Sequence, residues 1–230
     1  VSTLDQFRFD NHRSLTRLRV SSSGGAQIMD IEYVTDTSHW EKWQRDFRLG
    51  IILILPPAEV ADQINPLRAK YDPYAYAICP AHITLSDPLG LELTPERDAE
   101  VTDILKSVDP FMLHFDKPHA SRERSGLAYP IRPAEPIYAL RTVLHQASVF
   151  TREDYWSRTV PPHMTIAEFV SIEDSWRIKE KIGDAAPSGS FLCDRLEYIV
   201  PDVNMHFQRV KSYMLGKGQR EPQPTVPGDA

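Results

Sequence analysis

Two short segments of the chain carry the residue types that could do acid–base chemistry. Pro80-Ala81-His82-Ile83-Thr84-Leu85 and Pro161-Pro162-His163-Met164-Thr165-Ile166 both read Pro-x-His-apolar-Thr-apolar. Imidazole takes or gives a proton near neutral pH more readily than any other side chain. Two imidazoles can therefore serve as base and acid at one phosphoester, while two threonine hydroxyls hydrogen-bond its nonbridging oxygens. The spacing supplies a direction. In a strand, residues i and i+2 point to the same face, so His82 and Thr84 project together while Ile83 and Leu85 turn into a core. His163 and Thr165 repeat the arrangement, with Met164 and Ile166 inward. A lone His-x-Thr triplet reads as ordinary strand sequence, since Thr favours strands. With 8 histidines in 230 residues, chance supplies roughly 0.4 such triplets, and two with apolar flanks far fewer.

The elements that must position these strands follow from the pattern around them. Residues 1–26 read as a polar lead with a flexible Ser21-Ser22-Ser23-Gly24-Gly25 joint, and 27–34 as a short strand. Ser38-x-x-Glu41 has the form of a capping box opening a helix, with Trp40, Trp43 and Phe47 as a packing stripe ended by Gly50. Ile51 to Leu55 is a buried strand, followed by a helix from Pro56-Pro57 to about Asn65, where Pro66 should end or kink it. Tyr71 to Cys79 reads as an irregular connection, and the first motif strand as 82–86. Thr94-Pro95-Glu96 opens a helix to about Val108. Strands at 111–115 and 127–132, a helix from Pro136, the second motif strand at 163–168, a helix at about 172–183 capped by Ser171, and strands at 191–200 and 206–214 complete the order. This alternation predicts an α+β protein of two related lobes, with the motifs across a pseudo-twofold cleft. The expected divisions are an extension with a Trp-rich helix over 1–48, the main domain over 49–214 and a disordered tail over 215–230.

Composition narrows the partners. A net charge of −6 and a pI near 5.8 argue against extended nucleic-acid binding, which phosphate neutralisation drives, but leave room for a nucleotide or RNA end in a local pocket. Cys79 and Cys193 are the only cysteines, so neither a disulfide framework nor a cysteine zinc site is supported, and a reducing, cytoplasmic setting is the simplest. The start shows no signal-peptide pattern, and the longest apolar run, Ile51 to Leu55, is too short to span a membrane. The remaining histidines show no zinc-binding spacing. No metal or cofactor is expected, and the chain is expected to be a monomer.

The paired tetrads His82-Ile83-Thr84-Leu85 and His163-Met164-Thr165-Ile166 resemble those of the 2H phosphoesterase superfamily, which includes 2′-5′ RNA ligase-like proteins and cyclic nucleotide phosphodiesterases. The resemblance covers residues 49–214 and leaves 1–48 outside. It implies a bilobal α+β fold with two antiparallel sheets around a central cleft lined by His82, Thr84, His163 and Thr165. It also implies metal-independent hydrolysis of a 2′,3′-cyclic phosphate on a nucleotide or RNA end. A nucleotide- or RNA-end-binding module, or 2′-5′ RNA ligase-like activity, without significant hydrolysis is the alternative. Base recognition needs a flat partner, for which Tyr76, Tyr129 and Phe207 are the leading candidates beside Tyr74 and Trp156. Arg132 is a candidate phosphate cation, as are Arg152 and Arg158, and His206 is a candidate additional cleft residue.

Overall fold

The computed structural model describes residues 19–23, 26–152 and 158–216. The polar lead up to residue 18, Trp156 and the tail beyond residue 216 lie outside them. The chain forms β1 (Arg19–Ser23), β2 (Ala26–Asp30), α1 (Lys42–Arg45), β3 (Ile51–Ile54), α2 (Ala58–Tyr71), α3 (Pro73–Ile78), β4 (Ile83–Thr84), α4 (Pro95–Lys106) and β5 (Phe111–Phe115). There follow β6 (His119–Ala120), β7 (Leu127–Pro130), α5 (Glu135–Leu144), β8 (His163–Ala167), α6 (Ile172–Ile182), β9 (Gly189–Cys193), β10 (Arg195–Pro201) and β11 (Phe207–Met214).

Seven strands join in one sheet in the order β11-β10-β3-β4-β8-β7-β6, and β5 and β9 form a separate antiparallel pair. All named pairings in the large sheet are antiparallel. The α+β class is as the element order predicts. The two lobes do not carry separate large sheets, because the motif strands β4 and β8 pair directly at Ile83 and Met164. On either side of that junction the register repeats: Leu53 faces Thr84 and Ile54 faces Ile83, while Ala128 faces Thr165 and Tyr129 faces Met164. Each half is also a strand–helix–strand unit, β3-α2-β4 in lobe one and β7-α5-β8 in lobe two, with α3 added before β4.

Alternation along the strands divides the sheet into two faces. Ile52, Ile54, Ile83, Leu85, Tyr129, Met164 and Ile166 enter the main core with α2, α4, α5 and α6. Ile51, Leu53, Cys79 and Ile199 form a smaller cluster on the opposite face, under Phe47, Ile78 and Phe207. Fully burying an aliphatic side chain of this size contributes about 1.5–3 kcal/mol, so the pattern fixes which residues remain on the cleft side.

Several local rules held and several were overridden. Thr94 caps α4, with Pro95 in its first turn, and Ser171 caps α6 by accepting from Asp174 N. The first capping box shifts by three residues: Glu41 is the N-cap of α1 and Gln44 its reciprocal partner. Helix α2 runs through Pro66 to Tyr71. An interior proline costs about 3 kcal/mol, but Ile64 and Arg68 on either side are buried in the protein and hold the helix across it. The segment read as an irregular connection contains α3, opened by Asp72 as N-cap and Pro73 in the first turn. The stretch 191–200 is two strands, since Asp194 breaks it and sends β9 to β5 and β10 to β3. Gly50 has φ +82°, and a Cβ there would lie 2.3 Å from Ile199 O, so only glycine lets β3 enter beside β10.

Residues 31–48 lie against the sheet. Tyr33 Oη is hydrogen-bonded with Tyr198 Oη and accepts from Leu93 N, and Trp40 Nε1 donates to Val203 O. No helix among the described residues is long and apolar enough to cross a membrane.

Candidate active site

Pairing of β4 with β8 places the two motifs side by side at the centre of the sheet. Burial alternates along both strands: His82 and Thr84 are half-buried around fully buried Ile83, and His163 and Thr165 are half-buried around fully buried Met164. The four side chains therefore share one face of the sheet, where His82 and Thr84 line the neighbouring cleft and His163 and Thr165 lie outside its wall.

Both imidazoles are held in one orientation by their own strands. His82 Nδ1 lies 2.7 Å from Pro80 O, and His163 Nδ1 lies 2.8 Å from Pro161 O. A carbonyl oxygen only accepts, so each Nδ1 carries the hydrogen, and each Nε2 is left to exchange a proton. The proline two residues before each histidine supplies the acceptor. His82 is further biased to its neutral form: lost hydration, then the Arg68 charge, then His163, push it down to about 4, against the opposing hydrogen bond to Pro80. Neutral over the physiological range, its Nε2 is a proton acceptor.

A cleft of about 340 Å³ opens beside His82 and Thr84. Its walls are Trp43, Phe47, Phe169 and Phe207, with Ile51, Leu53 and Ile78 beneath them. Phe47 meets Phe207 edge-on at 6.0 Å, Trp43 lies 6.3 Å from Phe169, and Tyr74 meets Phe169 at 5.1 Å. Trp43, Tyr74 and Phe169 remain exposed at the rim. Glu168 also lines the cleft. Lost hydration pushes its carboxyl up, and the Arg68 guanidinium opposes that shift. This combination can hold a flat, apolar group beside the His82 imidazole.

The substrate-binding candidates divide. Phe207 lines the cleft as expected. Tyr129 does not reach it: the residue alternates with Leu127 and Ile131, and all three are buried in the main core. Its ring packs edge-on against Phe115 at 5.4 Å, and its hydroxyl has no hydrogen-bond partner. Tyr76 is half-buried on α3 and is not part of the cleft wall, to which α3 contributes Ala75 and Ile78. Arg132 is exposed, with its backbone paired to His114. It falls on the cleft face by alternation from Pro130, the partner of His163, but outside the aromatic pocket. Arg152 reaches Asp46, and Arg158 Nε donates to Asp87. His206 lies in the turn closed by Asp202 rather than on the cleft wall. Sequence reasoning missed Glu168 and Phe169 altogether and favoured packing over a ligand platform for Trp43 and Phe47.

The sequence profile of the 2′-5′ RNA ligase superfamily matches residues 56–204. A "Putative phosphoesterase" of Oceanobacillus iheyensis is 30% identical over 169 residues, covering 72% of this chain and 97% of that one. A protein of the same name from Bacillus cytotoxicus is 26% identical over 179 residues, covering 75% and 99%. Among solved structures, E. coli LigT in complex with NADP+ is similar with a TM-score of 0.47 at 21% identity, covering 73% of this chain and 96% of that one. A solved phosphoesterase gives a TM-score of 0.48 at 20% identity, covering 73% and 97%. The chain belongs to the 2′-5′ RNA ligase superfamily, among the 2H phosphoesterases.

Proposed function

We propose that this phosphoesterase hydrolyses 2′,3′-cyclic phosphates of nucleotides or RNA ends by metal-independent catalysis with His82, His163, Thr84 and Thr165. The observation that carries this reading is the matched pair of histidines on adjacent strands, each with Nδ1 held by a proline carbonyl and Nε2 left for proton transfer. His82, held neutral, takes the proton from the attacking water. The water oxygen bonds to phosphorus, the bond from phosphorus to one ribose oxygen breaks, and His163 gives its proton to that oxygen. Each proton transfer contributes about 10²–10⁴-fold. The threonine hydroxyls donate to the nonbridging oxygens and hold phosphorus between the rings. The nucleobase enters the aromatic cleft and stacks against its walls, on the His82 side of the phosphate.

The test is hydrolysis of 2′,3′-cyclic AMP and of a short RNA ending in a 2′,3′-cyclic phosphate, in EDTA, with His82→Ala and His163→Ala alongside. Turnover in the wild type that both substitutions abolish is the expected result. A folded wild type that binds these ligands without turnover would overturn the hydrolytic assignment and leave a binding module.

A further inference from the structure

The two motif strands are fastened by side chains from the opposite lobe, in a pattern that repeats at matching positions of the two halves. Arg68, near the end of α2 in lobe one, donates from Nη1 to Thr165 O of lobe two at 2.6 Å and from Nη2 to Cys79 O at 3.0 Å. Arg141, near the end of α5 in lobe two, donates from Nη2 to Thr84 O of lobe one at 2.8 Å and from Nη1 to Val160 O at 2.6 Å. Cys79 and Val160 each stand three residues before a motif histidine. Four residues after each arginine a second group reaches across. Asp72 Oδ2 accepts from Glu168 N at 2.7 Å, and His145 Nε2 accepts from Asp87 N at 2.9 Å. Glu168 and Asp87 each stand three residues beyond a motif threonine. Each motif is thus gripped at the threonine carbonyl and again one step further on, by the helix of the other lobe.

We infer that Arg68 and Arg141 are positioning residues that set the separation of the two His-x-Thr edges. The inference rests on the proposed reaction for its kinetic consequences, but not for its geometry. Arg68 is 1% and Arg141 2% exposed. Each bonds to carbonyls rather than to a carboxylate, and each leaves its Nε without a hydrogen-bond partner. Burying a guanidinium in this way is expensive, and apolar residues of similar volume commonly serve stability as well or better. What an apolar residue cannot do is tie two specific carbonyls on different lobes with one rigid fork. One carbonyl held by each guanidinium belongs to a motif threonine, two positions from its histidine, and the other lies three residues before the histidine of the arginine's own lobe, so a shift at either guanidinium moves one histidine relative to the other.

The test compares Arg68→Met, Arg141→Met and the two lysine variants with the wild type. Three readouts are taken: melting temperature, kcat and KM on 2′,3′-cyclic AMP, and the ring NMR signals of His82 and His163. A misplacement of about 1 Å costs about 10²-fold, so each folded methionine variant should lose about that much in kcat with KM changed far less. Arg141→Met should shift the His82 ring signals even though Arg141 belongs to the other lobe, and Arg68→Met those of His163. The lysines, which keep the charge but lose the fork, should recover only part of kcat. Should a methionine variant fail to fold, its lysine partner carries the same ring-signal test. Unmoved ring signals across the lobes, or a lowered melting temperature with unchanged kcat, would overturn the inference. A wild type inactive on 2′,3′-cyclic AMP would overturn the proposed reaction alone, because the ring signals report on positioning without turnover.

Discussion

The two lobes share a skeleton and differ in what they build on it. In both, a proline carbonyl fixes the histidine ring, a threonine follows on the same face, and a buried arginine reaches across to the other strand. On the cleft side of lobe one, Leu53 beside Thr84 belongs to an apolar floor roofed by Phe47 and Phe207. At the matching place in lobe two, Thr165 has only Ala128 beside it, and the strand continues through exposed Pro130 to exposed Arg132. The residue three beyond each threonine diverges as well. Asp87 is fully buried among His145 and Arg158, whereas Glu168 lines the cleft. Under the proposed reaction the proton-transfer pair is divided between the halves, whereas the aromatic pocket gathers on one side of it, beside His82 and Thr84, from the segment before β3, from β11 and from the residues just past β8.

The sharpest way to break this comparison is to ask the histidines to do unequal work. Alanine at either position should lower kcat on a 2′,3′-cyclic phosphate by about 10²–10⁴-fold. On a p-nitrophenyl phosphodiester, whose leaving group needs no proton, His163→Ala should lose far less and His82→Ala nearly as much as before. Equal losses on both substrates would show that the assigned roles are wrong. Thr84→Val and Thr165→Val should each lose about 10–100-fold in kcat/KM, because a hydrogen bond to a charged group contributes about 1.5–3 kcal/mol. Their near equality is the check on shared chemistry.

An aromatic pocket on the His82 side predicts that Phe207→Ala or Phe169→Ala raises KM about tenfold with kcat little changed, since a stacked base contributes about 1–3 kcal/mol. Arg132→Ala, exposed in lobe two, should change KM by no more than about twofold, as isolated surface charges contribute little. A large effect of Arg132 would move part of the substrate across to lobe two. A further effect is on stability. His82 titrates near 4 in the folded chain, below its ordinary 6.5, so the unfolded chain binds the proton more tightly. Its contribution is complete above about pH 6.5 and is lost as pH falls from there toward 4. Melting temperatures should show that slope in the wild type and a shallower one in His82→Gln, and the acid limb of kcat/KM should fall near pH 4 rather than 6.5.

The placement of the motif side chains was legible in the sequence because alternation is a local rule: His-apolar-Thr-apolar determines which residues face outward and which enter the core, whereas the proline carbonyl that holds each ring was visible only in the structure. Tyr129 was readable by the same rule, since Leu127 and Ile131 flank it at spacing two, but an aromatic residue near a motif invites a binding role that alternation forbids. The helix α3 carried its signal in Asp72-Pro73, an N-cap followed by proline, obscured by the tyrosines around it. Arg68 and Arg141 left no local trace, because their partners are carbonyls 97 and 57 positions away and every residue has a carbonyl. Trp43 and Phe47 were visible as a stripe, but a stripe does not say whether it covers a core or walls a cavity. That depended on Phe207, which arrives from the far end of the chain.

The pairing of β3 with β10 has a consequence for biosynthesis. Ile51 to Ile54 are all buried, and their neighbours on one edge are Glu197 to Ile199. A growing chain therefore exposes a hydrophobic strand with one open edge until residues 197–199, far along the chain, have left the ribosome. Such edges invite pairing between nascent chains, so β3 is a segment that a chaperone would need to shield, and the arrival of β10 is what covers its edge.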